Sequence, residues 1–206
     1  MRWDLFFEDL EDQLASEWEA ERAALDTEAE RLRISRVELR SRLATLVGRE
    51  ASDGGPPPSF ELADGTTLSA ALRALGADWV GAGPGSGTRG GLIIVPFASI
   101  RAIALPHADV LRTARPSERI AGLSDRMTLG FVMRDVARRR LPVSLGLASG
   151  RVFTGTIDRA GADHLDLALH EPGAPRRGGD VTGYRLVPFA GIAWVRVEDG
   201  SALSLA

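Results

Sequence analysis

The chain has no cysteine and no lysine among its 206 residues. The first absence excludes disulfides, thiolate zinc sites, iron–sulfur clusters and cysteine nucleophiles. The second excludes a P-loop lysine and leaves every one of the 25 basic residues an arginine, a bias that fits a G+C-rich genome. Aromatic residues make up only 6%. No apolar run approaches the roughly 20 residues that a membrane-spanning helix needs. The opening MRWDLFFEDLEDQL is acidic where a secretory signal is basic, so the expected location is the cytoplasm. Glycine is missing before Gly48 and proline before Pro56. With 44% hydrophobic residues, the chain has enough apolar side chains for a packed core.

What is present is unevenly spread. Residues 1–30 carry eleven acidic residues against Arg2 and Arg22, and residues 31–50 carry six arginines against two glutamates. Trp3, Leu10, Leu14, Trp18, Leu25 and Leu32 recur at sevens, threes and fours, which predicts one long helix with a narrow apolar stripe. That stripe suits packing on the chain's own domain or a coiled-coil seam for self-association. In an antiparallel pair the acidic half of one copy would face the basic half of the other. Ser35-Arg36-Val37-Glu38 has the spacing of a capping box and predicts a second helix through Leu39, Leu43 and Leu46 that stops at Gly48. The run ASDGGPPPS then reads as a linker.

The rest of the chain repeats itself. ELADGTTLSAALRALGADWV (61–80) aligns on GLASGRVFTGTIDRAGADHL (146–165), and LIIVPFASIRAI (92–103) on YRLVPFAGIAWV (184–195). The offset grows from 85 to 92 because the second copy has the longer loop, EPGAPRRGGDVTG. DRMTLGFVMRDVARRR (125–140), with Leu129, Val132, Met133 and Val136 on one face, is the counterpart of the helix near Ser35. Within the second copy, Val143, Leu145 and Leu147 alternate before a turn at Ser149-Gly150. Phe153 and Ile157 flank Gly155, and Leu165, Leu167 and Leu169 alternate again. Five short strands after a helix, one strongly bent, predict a small closed barrel. The expected organisation is an acidic helical arm (1–34), a first helix-plus-barrel unit (35–105), a connector (106–124), a second unit (125–197) and a tail (198–206). The fold class is α+β.

On these residues the second unit resembles the Sm/LSm family. That fold is a short helix followed by a five-stranded bent barrel. The family's first motif is matched by Val143, Leu145 and Leu147, by Gly150 and Gly155, and by Asp163-His164-Leu165-Asp166. The first copy offers Gly65, Ala70 and Asp78-Trp79-Val80-Gly81. The resemblance implies tandem Sm-like barrels, and it implies RNA binding less directly. Asp166 and Gly81 stand where the family places a base-holding asparagine, and Val-Pro-Phe-Ala replaces its second motif. The opening MRWD also resembles a family from G+C-rich bacteria sometimes labelled Fis-type transcriptional regulators. No helix-turn-helix pattern accompanies it here.

Few residues suggest chemistry. GSGTRG (85–90) matches a dinucleotide fingerprint but lies between two strand patterns, where a plain loop is expected. His164 and His170 with Asp163 and Asp166 do not form a convincing metal set, and no nucleophile–base spacing is present. No enzyme, metal, cofactor or small-molecule substrate is therefore expected. The binding candidates are Asp78, Trp79, Asp163, His164 and Asp166, where an aspartate beside an exposed aromatic group would hold a base or peptide. The plainer expectation is that Gly76 and Gly161 take positive φ while each aspartate caps its own turn. Arg138, Arg139, Arg140, Arg176 and Arg177 are candidate phosphate contacts. Trp3, Leu10, Leu14, Trp18 and Leu25 are candidates for self-association. The function these features predict is a non-catalytic interaction or scaffold protein, with a protein or a second copy as partner, self-associating through the arm or through open barrel edges. The alternative is an RNA- or DNA-binding regulator.

Overall fold

The computed structural model describes residues 2–48, 55–83, 91–115, 122, 124–171 and 178–198. It divides into two compact units, Met1–Leu39 and Arg40–Ala206. The first unit is essentially one helix, α1 (Arg2–Ser35). Its run of Ala, Glu, Leu and Arg favours helix and contains no breaker. Surface pairs Arg31–Glu28 (3.7 Å) and Arg33–Glu30 (2.6 Å) brace its last turns, each spaced i, i+3. Trp18, Leu25 and Leu32, seven residues apart, are all exposed. The side chains of Trp3, Leu10 and Leu14 lie outside the described residues. The expected capping box does not form. Ser35 closes α1, its hydroxyl donating to the Leu32 carbonyl at 2.8 Å, and α2 (Leu39–Ala44) starts four residues later.

The second unit is α+β, with antiparallel strands throughout. Its first half holds β1 (Ser59–Leu62), β2 (Thr67–Ser69), β3 (Ala71–Leu75), β4 (Trp79–Gly83), β5 (Leu92–Pro96) and β6 (Ile100–Ala104). After α3 (His107–Thr113) and α4 (Leu129–Arg139) come β7 (Pro142–Leu147), β8 (Val152–Ala160), β9 (His164–Leu169), β10 (Gly183–Pro188) and β11 (Ile192–Val197). One sheet runs β10-β9-β8-β7-β11-β5-β4-β3 and the other β2-β1-β6.

No closed barrel forms among the described residues, which corrects the expected pair of barrels. In the second half β10 and β11 are joined by a 3₁₀ turn at Phe189–Gly191 and do not pair with each other. The outer edge of β11 is taken instead by β5 of the first half. In the first half the second strand breaks at Ala70, so its two pieces, β2 and β3, belong to different sheets. The aligned residue in the second half is Gly155, inside an unbroken nine-residue β8. A Cβ there would lie 2.0 Å from the Ala168 carbonyl oxygen, so only glycine lets β8 approach β9 this closely.

The two halves share a strand order. Counting the broken strand as one, each half runs fourth, third, second, first, fifth. They also share backbone detail. Gly65 and Gly150 have φ of 82° and 81°, a left-handed turn that glycine adopts without steric cost. Phe97 N–H donates to Asp78 O at 2.9 Å, and Phe189 N–H to Asp163 O at 2.8 Å. Pro96 and Pro188 have the same φ and ψ, –62° and 140°.

Two apolar clusters fill this unit. One joins Leu43 and Leu46 to Phe60, Leu62, Leu72, Leu75, Val80 and Val95 of the first half. The other spans both halves. Leu129, Val132, Met133 and Val136 of α4 bury one face against Val143, Leu145, Ile157, Leu165 and Leu167, together with Trp79, Leu92 and Ile94. The shared core and the β5–β11 pairing explain why the two halves do not separate.

Candidate functional site

The repeated turns at 76–79 and 161–164 have the same local cause. A Cβ on Gly76 would lie 2.0 Å from Trp79 Nε1, and one on Gly161 would lie 2.7 Å from His164 Cε1. The ring at the fourth position folds over the glycine at the first, so the glycine is required by close packing. Neither glycine is among the positive-φ glycines, which corrects that expectation.

The turns are then used differently. In the first half, Asp78 Oδ1 accepts from Leu129 N–H at 2.7 Å, Ala77 N–H donates to Met127 O at 2.9 Å, and Trp79 Nε1 donates to the same carbonyl at 2.9 Å. Trp79 is 0% exposed. The expected exposed aromatic is therefore a core side chain, and Asp78 supports the start of α4 rather than its own turn. In the second half, Asp163 is exposed, and its carboxylate meets His164 Nδ1 at 2.8 Å. That hydrogen bond holds Asp163 below the ordinary carboxylate pKa. Asp166 sits on β9, opposite Leu186 of β10. Asp78, though exposed, spends Oδ1 on the start of α4, whereas Asp163 and the half-buried His164 pair with each other.

The arginine candidates separate as well. Arg138 and Arg139 both reach Asp135, the latter at 2.8 Å. Burial raises the Asp135 pKa, but the two guanidinium hydrogen bonds outweigh it and the carboxyl sits below its ordinary value. Arg140 is the C-cap of α4, with φ of 53°. Arg176 and Arg177, like the 85–90 loop, lie outside the described residues. His170 is buried, with Nε2 2.8 Å from Thr156 Oγ1 and Nδ1 3.0 Å from Glu171 O. That makes it a satisfied structural histidine. Among the described residues there is no group of three or more His, Asp or Glu side chains placed to hold a metal ion, and no helix is long and apolar enough to cross a membrane.

An open sheet edge was expected without a position, and the structure has one at β10. Among the described residues it ends the large sheet and pairs only with β9. It exposes Leu186 (73%) and Tyr184 (57%) on its described residues. An exposed edge strand bearing large apolar side chains is a template for further pairing. The alternation in YRLVP marked the strand, but nothing local marked it as an edge. β6 likewise ends the small sheet and, among the described residues, pairs only with β1. Comparison with family models, with curated proteins and with solved structures finds no match for this chain.

Proposed function

We propose that this protein is a non-catalytic interaction or scaffold module, built from two copies of an Sm-like helix-plus-strands unit, and that it self-associates through its open sheet edges. The observation that carries this reading is β10. Its backbone has one free side, and Leu186 stands exposed on it. Monomeric proteins blunt such edges with charge, proline or bulges. Here β10 carries one charge, Arg185, and Pro188 at its end, beside the exposed Tyr184 and Leu186. A nucleic-acid reading has less support, because Trp79 is buried and Arg138 and Arg139 are tied to Asp135.

The test is sedimentation velocity on the full chain over a wide concentration range, for the wild type and for Leu186→Asp. The wild type is expected to associate as concentration rises. Because Leu186 makes so little contact in the chain, the variant is expected to fold normally and to need at least tenfold higher concentration to associate. A wild type that stays monomeric throughout would overturn the reading.

A further inference from the structure

Two arginines converge on one aromatic ring beside the β10 edge. The Arg151 guanidinium lies 5.0 Å, and that of Arg185 5.8 Å, from the centroid of the Phe153 ring. Arg151 closes the turn between β7 and β8, its carbonyl accepting from Leu147 N–H at 2.8 Å. Arg185 stands on β10. Both arginines are exposed, and neither meets a carboxylate among the described residues. Arg185 Nη1 donates to the Tyr184 carbonyl at 2.8 Å and lies 3.8 Å from where a Cβ on Gly183 would sit. The charge of Arg185 is thus held back along the strand, over Phe153.

The orientation of this charge restricts what can pair with β10. Side chains along a strand alternate between faces, so Arg185 shares its face with Val187, a core residue. Phe153 packs against the same core, and Tyr184 and Leu186 stand on the opposite face. An inward-facing charge at a sheet edge discourages an apolar strand, which would cover the guanidinium and give it no partner. It favours a strand that brings a carboxylate to the same place.

The chain's own edges lack that carboxylate. β6 reads Ile-Arg-Ala-Ile-Ala and β10 reads Gly-Tyr-Arg-Leu-Val-Pro, with one arginine each and no acid. A second copy pairing through either strand would leave Arg151 and Arg185 without a carboxylate. The complementary strand is an extended segment of another protein in which acidic and apolar residues alternate. Residues directly opposite each other on neighbouring strands share a face. Acidic residues opposite Gly183 and Arg185 would therefore reach the two guanidiniums. Apolar residues opposite Tyr184 and Leu186 would cover the side chains left bare there. Strand addition of this kind takes affinity from main-chain hydrogen bonds and specificity from alternate side chains.

We infer that β10 accepts an extended segment of a partner protein in which acidic and apolar residues alternate, with Arg151 and Arg185 reading its carboxylates around Phe153. This rests on β10 being an open edge, as the self-association reading does, and goes beyond it by giving that edge a partner of different chemistry. A phosphate backbone would also bring negative charge, but it has no strand to pair with β10 and no apolar side chain for Leu186.

The probe is a fluorescein-labelled peptide, Gly-Ser-Glu-Val-Glu-Val-Glu-Val-Gly-Ser, titrated by fluorescence anisotropy into the full chain at low salt. It is expected to bind. The same peptide with lysine in place of each glutamate is expected to bind about tenfold more weakly, because like charge set opposite like charge opposes pairing. Arg185→Glu, at an exposed position, is expected to reverse the preference and bind the lysine peptide more tightly. Loss of folding would abolish binding of both peptides and could not produce that reversal. Failure of the wild type to bind either peptide, equal affinity for the two, or a preference unchanged in Arg185→Glu would overturn this inference and leave self-association standing. So would a single-stranded uridine oligonucleotide that binds more tightly than the glutamate peptide and loses its affinity in Arg185→Glu, which assigns the arginines to phosphate. A chain that never associates in sedimentation but binds the glutamate peptide would sink the self-association reading alone.

Discussion

At Asp64 the balance between burial and hydrogen bonding sets both a stability term and its pH dependence. Burial pushes the carboxyl pKa up. Hydrogen bonds from the Thr66 backbone and hydroxyl and from the Trp194 indole outweigh it, and the group sits below its ordinary value. A carboxyl whose folded-state pKa is depressed stabilises the fold above its unfolded value. That contribution is lost as pH falls through the folded value. Asp64→Ala is therefore expected to lower stability by about 1.5 kcal/mol at neutral pH, a typical worth for hydrogen bonds to a charged group. The gap to the wild type is expected to start narrowing below about pH 4, where the unfolded-state carboxyl takes up its proton, and to close as pH falls through the lower folded value. Urea midpoints of the two proteins between pH 7 and 3 measure this. A gap that stays constant with pH would mean that Asp64 acts through shape rather than charge. The nearby sequence, Leu62-Ala63-Asp64-Gly65, shows a turn and its left-handed glycine. Its partner Trp194 lies 130 residues away, beyond the reach of any local pattern.

Among the elements, α4 and the strands of the second half were the most legible. The spacing of Leu129, Val132, Met133 and Val136 picked out a face that is wholly buried. The alternation of Val143, Leu145, Leu165 and Leu167 picked out side chains at 0–2% exposure. These follow from period alone. The two Gly-Ala-Asp-aromatic turns were legible as a repeat but not as a pair with separate uses, since the difference lies in what packs beside each turn. The Asp78 carboxylate contacts α4, and the Asp163 carboxylate meets its neighbour His164. Hence Asp78→Ala is expected to destabilise the second unit by about 1 kcal/mol, the usual loss when a helix start loses a capping oxygen. Asp163→Ala is expected to leave the urea midpoint unchanged. Equal destabilisation by the two would show that the turns are structurally equivalent after all. The close backbone approach at Gly155 was also legible, but the broken strand at Ala70 was not. That break needs only one added Cβ at a position where the backbones nearly touch.

The whole molecule carries two candidate seams, and the sequence displayed only one of them. The heptad spacing of Trp18, Leu25 and Leu32 is visible by inspection, and those residues are exposed along α1. The β10 and β6 edges emerge only once eleven strands have been ordered, because an edge is defined by the neighbour it lacks. The two seams make opposite forecasts for a chain lacking residues 1–35. If α1 supplied the association, its removal would leave a monomer. If the sheet edges supply it, the shortened chain should still associate, and adding Leu186→Asp should then abolish what remains. The edge outcome is the expected one. The edge extends a kind of antiparallel pairing that the fold already makes between its halves, whereas α1 has no internal precedent for a partner. Salt offers a second discriminator in the same sedimentation experiment. An antiparallel α1 pair would set eleven acidic residues of one copy near the arginine-rich stretch of the other, and high ionic strength would weaken it. Apolar edge pairing should hold, so association of the wild type that persists at 1 M salt assigns it to the strands.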